Sequence, residues 1–310
     1  MNGAHGTDGG RVRILAAGDA AVLVEFPGSG GPVSPAVLPF TAAAARGRPA
    51  GIVDVIPAAR TVAVTFSPAA IAPDVVRTWC ADLSARAVAD AAGADGSAEP
   101  PGEALVIPVV YDGPDLDAVA GATGLTRAEV IDAHTGTGWT VAFTGFAPGF
   151  GYLVGGDPRL EVPRRSTPRT RVPAGSVGLA GPFSGVYPRS SPGGWQLIGT
   201  TAAELWQPRR DPPALLAPGT RVRFARAGRR HERRRLRRAP GGAGTRPHDH
   251  RAGRRPPGPR RAGVGLSGAA DRGALAAANR LVGNDERGPR CSRRRWAAWP
   301  CAHAGRRSSR

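Results

Sequence analysis

The sequence predicts an α+β protein: a small mixed domain, a second domain rich in short strands, and a tail that cannot form a core. Three observations predict it. Residues 11–90 hold short alternating apolar runs followed by one long run with helical spacing. Residues 144–226 break into short apolar pieces, "SVGLAG", "GVYP", "WQLIG", "AELW" and "RVRFA", separated by Gly and Pro, which indicates a closed barrel or a sandwich. After Ala227, the run "RRHERRRLRRAPGGAGTRPHDHRAGRRPPGPRR" has one large apolar residue, Leu236, and reads as disordered.

In chain order, residues 1–10 read as a disordered start. "RVRILA" and "AVLVEF" read as two strands around the turn pair Gly18-Asp19. "GIVDVIPAARTVAVTFSP" reads as two more, broken at Pro57 to Arg60. "APDVVRTWCADLSARAVADAA" follows, with Val75, Val76, Trp79, Leu83 and Val88 at roughly helical spacing and Asp74 as its start. These make an N-terminal α+β domain over 11–90. "AAGADGSAEPPGE", 91–103, is the linker. The second domain, 104–226, opens with the strand "ALVIPVVYD" and two short helices, "DLDAVAGATG" and "TRAEVIDAHT". Thr126-x-x-Glu129 forms a capping box at the start of the second helix. "WTVAFTGF" returns to strand.

Charge divides the 310 residues sharply. Residues 229–310 carry 23 arginines against five acids, while residues 1–228 hold 19 basic and 19 acidic residues. The body is therefore neutral, and a nucleic-acid reading rests on the tail alone. All 42 basic residues are arginine. Without lysine there is no P-loop, no Schiff base and no biotinyl or pyridoxal attachment. Phosphate would have to be held by arginine, backbone N–H groups or metal. The three cysteines, Cys80, Cys291 and Cys301, show neither a disulfide framework nor zinc spacing. The run "ILAAGDAAVLVEF" is too short and too polar to span a membrane. A reduced, cytoplasmic protein is the expectation.

Two clusters could carry chemistry. "DPRLEVPRRSTPRTR", 157–171, places Arg159, Arg164, Arg165, Arg169 and Arg171 among three prolines. Arginines on a stiff loop suit carboxylate or phosphate; the plain alternative is a solvated charged loop. "PAGSVGLAGPFSGVYPRSSPGGWQLIGTT", 173–201, offers Gly175, Ser176 and Gly178 for close approach to a ligand, with Tyr187 and Trp195 to line a pocket. Its alternative is a barrel whose turns need glycine. Directly before both lies "TGFAPGFGYL", whose bends carry Phe146, Phe150 and Tyr152. "AGSVG" fails as a nucleophile elbow, because Ala174 stands where glycine is required. His134, at the end of its helix, reads as a cationic or capping residue. "HDH", 248–250, is a weak metal signal, so no metal site is assigned and the catalytic residue is unknown.

Taken in order, "TGFAPGFGYL", "DPRLEVPRRSTPRTRVPAGSVGLAG", "GVYPRSSPGGWQLIGTT" and "RVRFA" resemble the family of 5-oxoprolinase B subunits, also called allophanate hydrolase subunit 1 or KipI-like, of the carboxyltransferase subdomain C/D type. The likeness covers roughly residues 11–226 and is densest over 144–201. Gly151 departs from it, where proline or alanine is more usual, which touches loop stiffness. The resemblance implies a small α+β domain followed by a cyclophilin-like β-barrel, with no prolyl isomerase activity attached to that shape. It implies two partners in a 5-oxoprolinase complex, a KipA-like C subunit and a third, the A subunit. Together these would open 5-oxoproline to glutamate with ATP as co-substrate, accompanied by Mg2+. The alternatives it leaves are an allophanate hydrolase or urea amidolyase-type component, and a KipI-like inhibitor of a histidine kinase.

On that resemblance Arg164, Arg169 and Arg171 are the anion-binding candidates, with Gly175, Ser176 and Gly178 as donors. Phe146, Phe150, Tyr152, Tyr187 and Trp195 would shape the pocket or a subunit interface. Within the tail, "GVGLSGAADRGALAAANRLVGNDE", 263–286, resembles the start of the KipA-like partner, while the arginine-rich text around it does not. The tail therefore reads as partly translated in a shifted frame, and a lysine-free, G/C-biased composition agrees with that.

Overall fold

The structure is a computed structural model that describes residues 11–28, 30–93 and 103–228, with the short segments 251–252 and 291–292. The first sheet is antiparallel, in the order β1 (Arg13–Ala16), β2 (Ala21–Glu25), β4 (Thr61–Phe66), β3 (Ile52–Pro57). Strict alternation sets its faces: Val22, Val24, Val62, Val64 and Phe66 all point to one buried side. Helices α1 (Val37–Arg46) and α2 (Pro73–Gly93) share the core with that side.

Two local readings change here. Helix α1 forms in a stretch to which the sequence assigned no element. It begins with Pro39 in its first turn, where a missing N–H costs nothing, and continues as Ala42–Ala45, the best helix former. In α2 the buried stripe is Val76, Cys80, Leu83 and Ala87; Val75 and Val88, expected on the apolar face, are exposed. Burial pushes the Cys80 thiol up to about 12, so it stays protonated and packs as a small apolar group.

The second sheet has seven strands, in the order β12 (Gln196–Thr200), β9 (Ser176–Ala180), β10 (Phe183–Val186), β7 (Gly151–Val154), β6 (Trp139–Thr144), β13 (Arg221–Arg226), β5 (Leu105–Val109). Its two edges meet: Val110 and Thr200 exchange both N–H···O bonds at 2.8 Å. That bridge nearly closes the sheet into a barrel and removes its open edges. The interior holds Ile107, Val109, Val141, Leu153, Val177, Leu179, Ile198 and Phe224. Helices α3 (Leu116–Thr123) and α4 (Arg127–Gly136) pack on this core through Leu116, Val119, Val130 and Ile131. Thr126 and Glu129 form the capping box of α4 reciprocally, as the spacing predicts. Gly151 opens β7 and does not lie in a loop.

A small separate ladder, β8 (Arg169–Val172) with β11 (Ser191–Gly193), pairs Arg169 with Gly193. Beyond residue 228 the described backbone is one antiparallel pair, β14 (Arg251–Ala252) with β15 (Cys291–Ser292). The rest of the tail, the "HDH" run and the 263–286 fragment included, lies outside the described residues.

Candidate functional site

The arginine-rich loop divides into parts with different partners. Arg159 folds back on Asp157 at 2.6 Å, and Asp157 also accepts the Arg159 N–H at the start of a single 3₁₀ turn, Pro158–Leu160. That pair is local and satisfied. Arg165 and Arg169 instead converge on Asp115: Arg165 Nη1 and Arg169 Nη2 donate to its Oδ1 at 2.9 and 2.7 Å. The Leu197 N–H donates to its Oδ2 at 2.7 Å. Asp115 sits at the N-terminus of α3 but makes no side-chain bond to that helix; its carboxylate, 4% exposed, reaches across to β12 and the loop.

Burial by itself would raise the Asp115 pKa. The hydrogen bonds from Arg169 and the Leu197 N–H, with the charges of Arg169 and Arg165, outweigh burial and hold the carboxyl below its usual range. It is therefore ionised at neutral pH. Among the described residues, Arg165 Nε and Arg169 Nη1 are buried without a hydrogen-bond partner, as are Ser191 Oγ and Gln196 Oε1. Arg171 Nε donates to Ser190 Oγ at 3.3 Å, and Arg164 is exposed.

The five aromatic candidates form one cluster. Phe150 is its centre, buried, with ring centroids of Phe146, Tyr152, Tyr187 and Trp195 at 5.1 to 5.4 Å, all edge-on. Gly193 opposes Tyr187: a side chain at 193 would run into the phenol oxygen. Burial raises the pKa of both Tyr152 and Tyr187, and the charge of Arg164 partly offsets this in each. Gly193 pairs with Arg169 and faces Tyr187, so the aromatic wall and the arginine loop are neighbours. Phe146 differs from the rest. It is 59% exposed, and its backbone is left-handed, φ 63°, within a turn where Ala147 N–H bonds to Gly145 O at 2.6 Å. A bulky residue there is a strained one.

The glycine-rich candidates serve the barrel. The Gly175 N–H donates to Tyr187 O at 2.7 Å, and Ser176 N–H to Pro173 O. Gly175 is left-handed, φ 80°, and a side chain there would strike the carbonyl of Thr201. Ser176 is buried, and Gly178 lies mid-strand in β9, paired on both sides with Gly185 and Leu197.

His134 departs from expectation. It is fully buried and stacked on Phe224 at 4.3 Å, with Nδ1 2.8 Å from Tyr111 Oη and Nε2 3.0 Å from Ser184 Oγ. Burial depresses its pKa to about 3, so it is neutral and not the cationic helix-end residue expected. A groove of about 600 Å³ lies elsewhere, between α1 and residues 212–219; its lining is apolar apart from Thr41 and includes no residue of the arginine loop.

A nearly closed barrel carrying an arginine–aromatic corner, preceded by a four-stranded sheet with two helices, defines the class. The chain belongs to the family described as carboxyltransferase domain, subdomain C and D, whose model matches residues 12–216. It is similar to the B subunit of 5-oxoprolinase from Escherichia coli O157:H7, 51% identical over 129 residues, covering 41% of this chain and 59% of the relative. It is similar also to the B subunit of 5-oxoprolinase from Bacillus subtilis, 52% identical over 123 residues, covering 39% and 51%. The chain thus spans about half the length of the curated relatives it matches. Among solved structures, that of TTHA0988 superposes with a TM-score of 0.56 at 32% identity, over 70% of this chain and 40% of that one. The Kluyveromyces lactis urea carboxylase superposes with a TM-score of 0.54 at 18% identity, over 72% and 22%, a likeness of fold alone.

Proposed function

We propose that this chain is the B subunit of an ATP-dependent 5-oxoprolinase, which opens 5-oxoproline to glutamate together with a KipA-like C subunit and a third component, the A subunit. The observation that carries this reading is identity of 47–52% with three relatives named as 5-oxoprolinase B subunits. In this reading the chain comprises an α+β domain over 11–90, a linker over 91–103 and a cyclophilin-like barrel over 104–226, and it works in the cytoplasm. No helix among the described residues is long and apolar enough to cross a membrane.

ATP would phosphorylate the lactam carbonyl oxygen and leave as ADP; water would then add to the activated carbon, phosphate would depart, and the ring C–N bond would break with a proton delivered to the nitrogen. This chain's contribution would be to bind and orient anionic groups at its arginine loop, beside the wall of Phe146, Phe150, Tyr152, Tyr187 and Trp195. Arg164, Arg169 and Arg171 are the side chains assigned to this task, and Mg2+ would arrive with the nucleotide phosphates. Gly175, Ser176 and Gly178 would act indirectly, by fixing the barrel strand behind the wall. Co-expression with the two partner subunits, followed by an ATP-dependent glutamate-release assay on 5-oxoproline, tests the reading. Turnover should require all three chains and fall in Arg169→Ala and Arg171→Ala. A well-formed complex that releases no glutamate would transfer the assignment to another amide, allophanate first.

A further inference from the structure

We infer that Phe146 is a rigid aromatic knob that docks into an apolar pocket rimmed by carboxylates on a partner protein, where exposed arginines beside it meet that rim. The inference rests on reading this chain as one subunit of a complex. Phe146 stands on a loop closed by its own backbone. Gly145 N–H donates to Phe150 O at 3.2 Å, Ala147 N–H to Gly145 O at 2.6 Å, and Phe150 N–H to Ala147 O at 2.9 Å. Pro148 and the left-handed Gly149, φ 82°, make the return turn. A side chain at Gly149 would press on Leu205 O and on the Trp206 side chain, each at 3.0 Å, so the loop is also packed against residues 205–206. Phe150 and Tyr187 buttress the ring edge-on, with centroids at 5.4 and 6.1 Å. Phe146 is nevertheless 59% exposed, on a backbone at φ 63°. The fold gains little burial from straining a bulky residue in order to hold it in solvent. Small ligands are held in concave pockets, whereas a projecting, preorganised ring has the form of an anchor that enters a pocket on another protein.

Charge defines the rim. Residues 162–203 hold five arginines and no acid. Arg165 and Arg169 are tied to Asp115. Arg164, Arg171 and Arg189 are exposed and form no ion pair among the described residues. All three belong to the surroundings of Tyr187. The charge of Arg164 acts on its phenol, Arg189 follows it closely in the chain, and Arg171 Nε donates to Ser190 Oγ at 3.3 Å. Uncompensated arginines around an aromatic anchor fit an acidic surface. The same sign opposes a second copy seated face to face on this patch. It also opposes the chain's own residues 229–310, which carry 23 arginines against five acids. The occupant is therefore another protein, and in the proposed complex the C subunit is the first candidate.

The test is the affinity of the purified full chain for the purified KipA-like C subunit, by analytical ultracentrifugation. ATP and 5-oxoproline are left out, so a loss of affinity cannot come from substrate contacts. Phe146→Gly should weaken the complex by at least about tenfold, and the double variant Arg171→Glu/Arg189→Glu by a similar factor. Phe146→Asn, which tolerates a left-handed turn, serves as a second ringless variant, and urea unfolding confirms that each is folded. The parent's affinity should fall as salt is raised from about 50 to about 300 mM, and that of the double variant should fall less. No complex with the parent chain overturns the docking knob, as does unchanged affinity in both ringless variants or in the double variant. The outcome separates from the fate of the proposed reaction. Assembly that depends on Phe146, without glutamate release, keeps the knob and loses the activity. Glutamate release from a complex whose affinity the ringless variants leave unchanged does the reverse.

Discussion

Asp115 and Arg169 meet at 2.7 Å across 54 residues of chain, and this contact ties the arginine loop to the first turn of α3. The loop could otherwise wave in solvent. With Arg165 on the same oxygen and the Leu197 N–H on the other, one carboxylate holds a loop, a strand and a helix end together.

Asp115→Ala should therefore be strongly destabilising. It leaves two partly buried guanidiniums and the Leu197 N–H without their acceptor. Removing one partner of a buried ion pair costs about 3–5 kcal/mol, and the low end applies because both arginines remain partly exposed. Asp115→Asn keeps an acceptor for Leu197 and should cost less. Urea unfolding of the three proteins checks the order.

Phe146 and Phe150 should respond very differently to truncation, although both belong to one cluster. Phe150→Ala removes the buried ring at its centre and should cost about 3–5 kcal/mol. Phe146→Gly removes an exposed ring and relieves a left-handed backbone, so lost edge contacts and gained relief should cancel to within about 1 kcal/mol. The same Phe146→Gly should reduce turnover of the assembled complex. Equal stability losses in the two variants would show that the Phe146 turn stores no strain.

Much of this arrangement is legible in the sequence because it is local. Alternation marks β2 and β4, the Thr126-x-x-Glu129 spacing marks α4, and the bends of "TGFAPGFGYL" mark the aromatic wall. The rest depends on residues brought together from far apart. The partners of Asp115 lie 50, 54 and 82 residues away, and nothing in "DGPDL" announces them beyond a turn before a helix. His134 escapes a sequence reading for the same reason. Helix-end position suggests a cation, but Ser184, 50 residues on, and Phe224 enclose it. Gly175 and Ser176 read as ligand-facing because glycine in a turn against Thr201 and glycine against a phosphate leave the same letters.

Gly175→Ala separates those two meanings. A methyl group there meets the Thr201 carbonyl on a backbone already at φ 80°. Left-handed strain alone costs about 1–2 kcal/mol, and displacing a backbone carbonyl from its ladder adds to it. The variant should lose at least about 2 kcal/mol in urea unfolding. If stability is kept and only ligand binding falls, the glycine faces the ligand after all.

The last expectation concerns acid. His134 has a folded pKa of about 3 against an ordinary 6.5, because the barrel interior excludes the charged ring. Below pH 6.5 the unfolded chain binds a proton that the folded chain refuses, so stability is full above that pH and falls as pH drops toward 3. The slope approaches about 1.4 kcal/mol per pH unit. Tyr111 and Ser184, its hydrogen-bond partners, are neutral across that range, since burial also raises the Tyr111 pKa. His134→Gln keeps a donor and an acceptor for those hydroxyls but cannot titrate. It should be less stable than the parent at about pH 7.5, yet lose far less between about pH 7 and 5. Parallel losses in both proteins over that interval would place the acid sensitivity on other groups.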